Sequence, residues 1–209
     1  KASLMSKLPV APKGCSEIPG GHIATIVTNL EMLQKPLLRP ATMPEDVTFV
    51  RMVDPDLSEY RALFLKVGER WMWFSRVLME DGALREILTN PKVESFEIRE
   101  GNEAIGLLEL DFSELDQCEL SFLGLTAAAT GKGLGRAIMN VAVEQAWSRQ
   151  IRRFWVHTCT FDHPAALEFY IRTGFTPFSR QLEVVPDPRL RGVLPMHAAP
   201  HVPIIQPQP

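Results

Sequence analysis

The chain has 209 residues, 45% of them hydrophobic and 22% charged, with a formal net charge of −3. That length supports one domain with a substantial core plus extensions, and the composition is that of an ordinary globular protein. No Lys/Arg run gives a nucleic-acid footprint, no apolar stretch reaches the roughly 20 residues that span a bilayer, and the start lacks a signal peptide's apolar core. The cysteines (Cys15, Cys118, Cys159) are too widely spaced for a disulfide framework or a zinc pattern, so a reducing, cytoplasmic setting without metal is expected.

Residues 1–20 are punctuated by Pro and Gly and predict an arm. His22–Leu33 is rich in β-branched residues and predicts a strand, Gln34–Asp46 a proline-rich loop, and Val47–Val53 a second strand. Pro55 is expected to open a helix whose apolar positions are Leu57, Tyr60, Leu63, Phe64 and Val67. After the aromatic run Trp71–Phe74, a second helical stretch continues to Leu88, where Asn90-Pro91 stops it. Val93–Arg99 and Ala104–Phe112 read as a hairpin, and Glu119–Leu125 as the next strand. A helix then runs to Ser148 with a polar stripe of Arg136, Asn140, Glu144 and Ser148. Arg153–Thr160 is another strand, followed by a helix with Pro164 in its first turn and Gly174 at its end, then a last strand at Thr176–Val185. The order indicates an α/β fold on a mixed sheet: residues 1–46 an extension with an extra strand, 47–185 one domain, and 186–209 a proline-rich wrapping or extended tail.

The stretch with the most chemistry is Cys118–Arg136, an apolar strand leading through a turn into a helix that begins with Gly131, Gly133 and Gly135. Such a turn offers backbone N–H groups to phosphate at a helix N-terminus. The spacing does not match the dinucleotide pattern G-x-G-x-x-G, nor the P-loop pattern, which needs Ser or Thr where Gly133 stands. Thr130-Gly131-Lys132-Gly133-Leu134-Gly135 does fit [Q/R]-x-x-G-x-[G/A] except at its first position. Farther on, Ala166-Leu167-Glu168-Phe169-Tyr170-Ile171-Arg172-Thr173-Gly174-Phe175 fits A-x-x-[FL]-Y-x-x-x-G-F. The two motifs in this order and context resemble the GNAT superfamily of acyl-CoA-dependent N-acyltransferases, over roughly residues 47–185. The chain departs from the family's pattern at Thr130, usually Gln or Arg, and at His163, usually Asn; Asp162 is expected to cap the helix that follows.

The resemblance implies a mostly antiparallel, twisted sheet flanked by helices, with acetyl-CoA as co-substrate and a small-molecule or protein amine as acceptor. It implies that N–H groups of Thr130, Gly131, Lys132, Gly133, Leu134, Gly135 and Arg136 bind the CoA pyrophosphate. It further implies that Leu123, Gly124 and Leu125 pair with the pantetheine amides as an added strand would, with His163 beside that arm. Lys132 and Arg136 are equally readable as solvated surface residues. Tyr170 matches the family's general acid, against the alternative of a core aromatic. A lysine-like amine costs about 4–5 kcal/mol to deprotonate at pH 7, so a base is needed. Glu119 is the expected base, at the position where histone-acetylating members carry their glutamate, with Glu109 and Asp111 as competitors and His157 as a residue of suitable pKa. Trp71 and Trp73 fall where the superfamily walls its acceptor pocket, although such aromatics are more often core. A non-catalytic acyl-CoA-binding module and a partner module working through the proline-rich tail are the rival readings, and a homodimer is left open.

Overall fold

The computed structural model describes residues 14–207, and the part of the expected arm that falls on residues 1–13 lies outside them. Seven strands form one sheet: β1 (His22–Met32), β2 (Val47–Met52), β3 (Val93–Glu100), β4 (Glu103–Asp111), β5 (Gln117–Leu125), β6 (Arg153–Cys159) and β7 (Thr176–Pro186). Their order is β2-β3-β4-β5-β6-β1-β7, and every neighbouring pair is antiparallel except β5–β6. This is the mixed, mostly antiparallel α/β sheet that the sequence leads one to expect. The extra strand β1 is interior: it pairs with β6 on one side and β7 on the other, and Leu30 is fully buried.

Helices cover both faces. Leu57, Tyr60, Leu63, Phe64 and Val67 form one stripe of α1 (Leu57–Gly68), which packs with Leu84 and Leu88 of α3 (Asp81–Leu88) against Leu107 of β4. Alternate strand residues point the other way, so Leu108, Leu110, Cys118, Leu120, Phe154 and Val156 meet Ile138, Ala142 and Val143 of α4 (Leu134–Trp147) and Tyr170 of α5 (Ala166–Thr173). Arg136, Glu144 and Ser148 of the expected polar stripe are exposed and Asn140 is half-buried.

Four local expectations are corrected. Pro55 precedes rather than opens α1, whose N-cap is Asp56, with its carboxylate accepting from the N–H groups of Ser58 and Glu59. The second helical stretch is two pieces, α2 (Ser75–Leu78) and α3, because Met79 and Glu80 take extended backbone. Asp162 does not cap α5; its carboxylate takes the Thr158 hydroxyl and the Cys159 N–H, bracing the end of β6, while Ala165 stands at the N-cap and Pro164 outside the helix.

The proline-rich tail wraps. Leu194, Ala198, Ala199 and Val202 pack with Ile23, Met72 and Phe161 in a third apolar cluster, and the Gly21 N–H donates to the Ile205 carbonyl at 2.7 Å. Among the described residues no helix is long and apolar enough to cross a membrane, and no group of three or more His, Cys, Asp or Glu side chains could hold a metal ion.

Candidate active site

The site begins where the sheet opens. Parallel pairing between β5 and β6 stops at Leu120–Val156, yet β5 continues to Leu125 and β6 to Cys159. The β6-facing edge of residues 121–125 therefore has no strand partner. A β-bulge marks the divergence: Glu109 pairs with Phe122 and Leu110 with Leu120, which leaves Ser121 unpaired on β5. The opening continues into a cleft of about 620 Å³ whose lining includes Leu123, Gly124, Leu125, Thr130, His163 and Tyr170.

Gly124 is glycine for a packing reason. A Cβ there would lie 2.5 Å from Val67 Cγ1 and 2.9 Å from the Trp73 ring. Gly124→Ala is thus expected to push α1 and Trp73 off β5 and cost about 1–3 kcal/mol, read as a lowered Tm in thermal unfolding.

Beyond β5 the chain turns through the glycines. Gly131 and Gly133 adopt φ of +85° and +82°, a region where a side chain is strained, and nothing lies within 4 Å of a Cβ at either. The Thr130 N–H, expected among the free donors, goes to the Thr126 carbonyl at 3.0 Å; among the described residues, none of the backbone N–H groups from Gly131 to Arg136 has a hydrogen-bond acceptor, and Gly133 gives α4 no side-chain cap. The start of α4 thus presents free donors and the positive end of its dipole. The Leu134 side chain goes into the core, while Lys132 is held by Glu100 at 2.8 Å. Arg136 faces a neighbouring recess of about 460 Å³, which Arg39 and Arg172 share. Neither Arg39 nor the recess was evident in the sequence, because Arg39 comes from the loop after β1 and reaches the turn only through the fold.

Tyr170 projects from α5 into the cleft from the α4 side of the sheet. The residue is 8% exposed, its ring packs against Phe169 and Phe175, and its hydroxyl has no protein partner among the described residues. Burial pushes the phenol's pKa well up, so it keeps its proton. His163 lines the cleft too; its Nδ1 accepts the Ala165 N–H at 3.1 Å and its ring meets Trp71 edge-on.

The opposite face holds the carboxylates. Glu109 is fully buried and receives the Tyr60 hydroxyl at 3.0 Å, the Ser95 hydroxyl at 2.9 Å and the Arg76 guanidinium. Its oxygens are committed to a structural network. Asp111 accepts the Ser113 N–H at 2.7 Å at the end of β4. Glu119 does not itself line the cleft; its carboxylate lies 3.4 Å from Nδ1 of His157, which does. The sequence shows Glu119 and His157 separately, and only the parallel pairing of β5 with β6 joins them.

Trp71 and Trp73 both line the cleft on this face, turned toward it around Met72, which takes φ of +60°. Trp73 also packs against Phe64 and Phe122, while Trp71 lies between His163 and His201 of the tail. Both are therefore part wall and part core.

The Acetyltransferase (GNAT) family model matches residues 60–175, which includes β3–β6, the glycine turn and the Tyr170 helix. No curated protein matches the chain in sequence. Among solved structures, a GCN5-related N-acetyltransferase from Kribbella flavida is similar with a TM-score of 0.52 and 16% identity over 82% of this chain and 63% of its own. A GCN5-related N-acetyltransferase from Sphaerobacter thermophilus gives 0.53 and 15% over 79% of this chain and 53% of its own. An aminoglycoside acetyltransferase from an uncultured soil metagenomic sample, in complex with sisomicin, gives 0.51 and 14% over 62% of this chain and 88% of its own. The chain thus spans little more than half the length of some of the structures it resembles. Fold, glycine turn and family match agree: the chain belongs to the GNAT acetyltransferase family.

Proposed function

We propose that the protein is an N-acetyltransferase that moves acetyl directly from acetyl-CoA to a primary amine, without a covalent enzyme intermediate. The observation that carries this reading is the continuity of the unpaired β5 edge with free N–H groups at the start of α4. An extended chain bearing amides can lie along Leu123–Leu125 as an added strand, with its diphosphate on the N–H groups of residues 131–136. Arg39, Arg136 and Arg172 supply positive charge for the remaining phosphate oxygens. CoA has this combination of groups; a nucleotide lacks the amides and a peptide lacks the diphosphate.

An acyl group carried at the end of that arm would lie in the opening between β5 and β6. Tyr170, on the α4 side, protonates the departing sulfur; on the α1 side Glu119, with His157 beside it, serves deprotonation of the amine. Trp71 and Trp73 wall the acceptor's approach, where an ammonium group gains from aromatic faces.

Acetyl-CoA at about 100 times its Kd should stabilise the protein by about 2.7 kcal/mol, a rise in Tm of roughly 5–10 °C for a domain of this size. Thiol release across a panel of primary amines then tests the reaction. A Tm unmoved by acetyl-CoA and CoA would remove the reading altogether. Stabilisation without thiol release would instead favour a non-catalytic acyl-CoA-binding module of the same fold.

A further inference from the structure

We infer that His157 takes the proton from the acceptor amine and that Glu119 acts through it as a positioning residue; the inference rests on the acetyltransferase reading above. The argument is geometric. β5 and β6 stay paired through Glu119–Trp155 and Leu120–Val156, and His157 is the first residue of β6 past the last pair. Its side chain stands at the mouth of the opening and is 47% exposed, whereas that of Glu119 is 25% exposed and lies behind it. The base in direct reach of the cleft is His157. The carboxylate reaches the cleft only through the imidazole.

The pair sets a preference for the proton positions. With Glu119 Oε1 3.4 Å from Nδ1, the carboxylate favours the neutral tautomer that carries its hydrogen on Nδ1. In that tautomer Nε2 is the acceptor, on a ring that lines the cleft. The charged groups facing this imidazole are Glu119 from β5, Asp162 from the turn after β6 and Glu183 from β7. All are carboxylates. The Glu119 carboxylate raises the His157 pKa against the opposing effect of burial, and the other two carboxylates add to it. A base of raised pKa takes a proton from an ammonium group more readily, and the same field stabilises the imidazolium that results.

The proton count closes. One ammonium proton passes to His157 Nε2 and on to solvent. The amine nitrogen bonds to the acyl carbon and gives up its second proton by the same route as the carbon–sulfur bond breaks. The sulfur leaves as a thiol with the Tyr170 proton, which the phenol recovers from solvent. The net products are amide, CoA thiol and one proton. Tyr170 and His157 lie on opposite faces of the sheet, as separate sites for the leaving and entering groups require.

The test uses the full chain with acetyl-CoA and the fastest acceptor from a panel of phenethylamine, spermidine, kanamycin and an N-terminal alanine peptide. His157→Ala should lower kcat about 100-fold or more with KM for acetyl-CoA within about twofold. His157→Gln serves as a second variant should the alanine change fail to fold. Glu119→Gln should move the acidic limb of the kcat/KM profile to lower pH, because the imidazole loses the carboxylate that raised its pKa, and Glu119→Asp should restore part of that movement. A purely structural Glu119 would leave the limb where it is. Unchanged kcat in both His157 variants, or an unmoved limb in Glu119→Gln, overturns the assignment alone. Absence of thiol release by the wild type with every acceptor overturns it together with the functional reading.

Discussion

Tyr170→Phe is expected to lower kcat by about 10²- to 10³-fold while Tm and the affinity for acetyl-CoA stay close to wild type. The change removes one oxygen and keeps the ring that packs against Phe169, Phe175 and the α4–β6 core. Because the hydroxyl has no protein partner among the described residues, its loss breaks no internal hydrogen bond and leaves no buried group unsatisfied. What disappears is a proton donor in the cleft that burial keeps protonated across the neutral range. A thiolate must then depart unprotonated or wait for water. Single-turnover measurement of thiol release separates this step from binding. If kcat is unchanged, Tyr170 is only a core aromatic on an amphipathic helix and the acid must be sought elsewhere.

Motifs and periodicity made the framework legible because both are local. The stripe from Leu57 to Val67 predicts α1, and the glycine turn with its following helix, together with the Tyr170 motif, pointed to the family. What stayed hidden depends on partners distant in sequence. The β-branched run of β1 reads as a strand, but its place between β6 and β7 is fixed by pairs such as Leu30 with Val156, more than a hundred residues away. Asp162 shows how a local rule fails. Its position before a helix signals a cap, yet the Thr158 hydroxyl and Cys159 N–H at the end of a diverging strand claim the carboxylate first.

The same distinction runs through the candidate site. Gly131 and Gly133 could be read from the sequence because their spacing and the following helix mark a turn that offers backbone N–H groups, and the structure adds their positive φ. Gly124 could not, since its reason is the approach of Val67 and Trp73 from α1 and the segment after it. Of the carboxylates that the sequence offered, Glu109 is drawn into a buried network with Tyr60, Ser95 and Arg76. Glu119 meets an imidazole 38 positions later in the chain. Composition weighs such residues alike; burial and neighbours separate them.

Arg189→Met should destabilise the protein by about 3–5 kcal/mol, because it strands a buried carboxylate. The Arg189 and Asp187 side chains are 1% and 2% exposed and meet at 2.7 Å, and the guanidinium also donates to the carbonyls of Ala198 and Val202 at 3.1 and 2.8 Å. One planar fork thus closes the tail onto the end of β7. Arg189→Lys should rescue little, since an ammonium cannot reproduce that fork. Adding Asp187→Asn to Arg189→Met should recover part of the loss by removing the unpaired charge. Burial acts to raise the Asp187 pKa, but the Arg189 hydrogen bonds outweigh it and hold the group below its ordinary value. The stability it contributes is therefore present above the ordinary carboxylate range and is lost as the pH falls through the lowered folded-state value. The tail also braces the wall proposed for the acceptor, with His201 against Trp71 and with Leu194, Ala198 and Val202 around Met72 and Phe161. In Arg189→Met below its Tm, KM for the amine should rise while KM for acetyl-CoA holds, because the donor's arm is proposed to lie along Leu123–Leu125 and the start of α4, outside the apolar cluster that the tail forms with Ile23, Met72 and Phe161. A rise in both constants would mean that the tail supports the whole sheet rather than the acceptor wall.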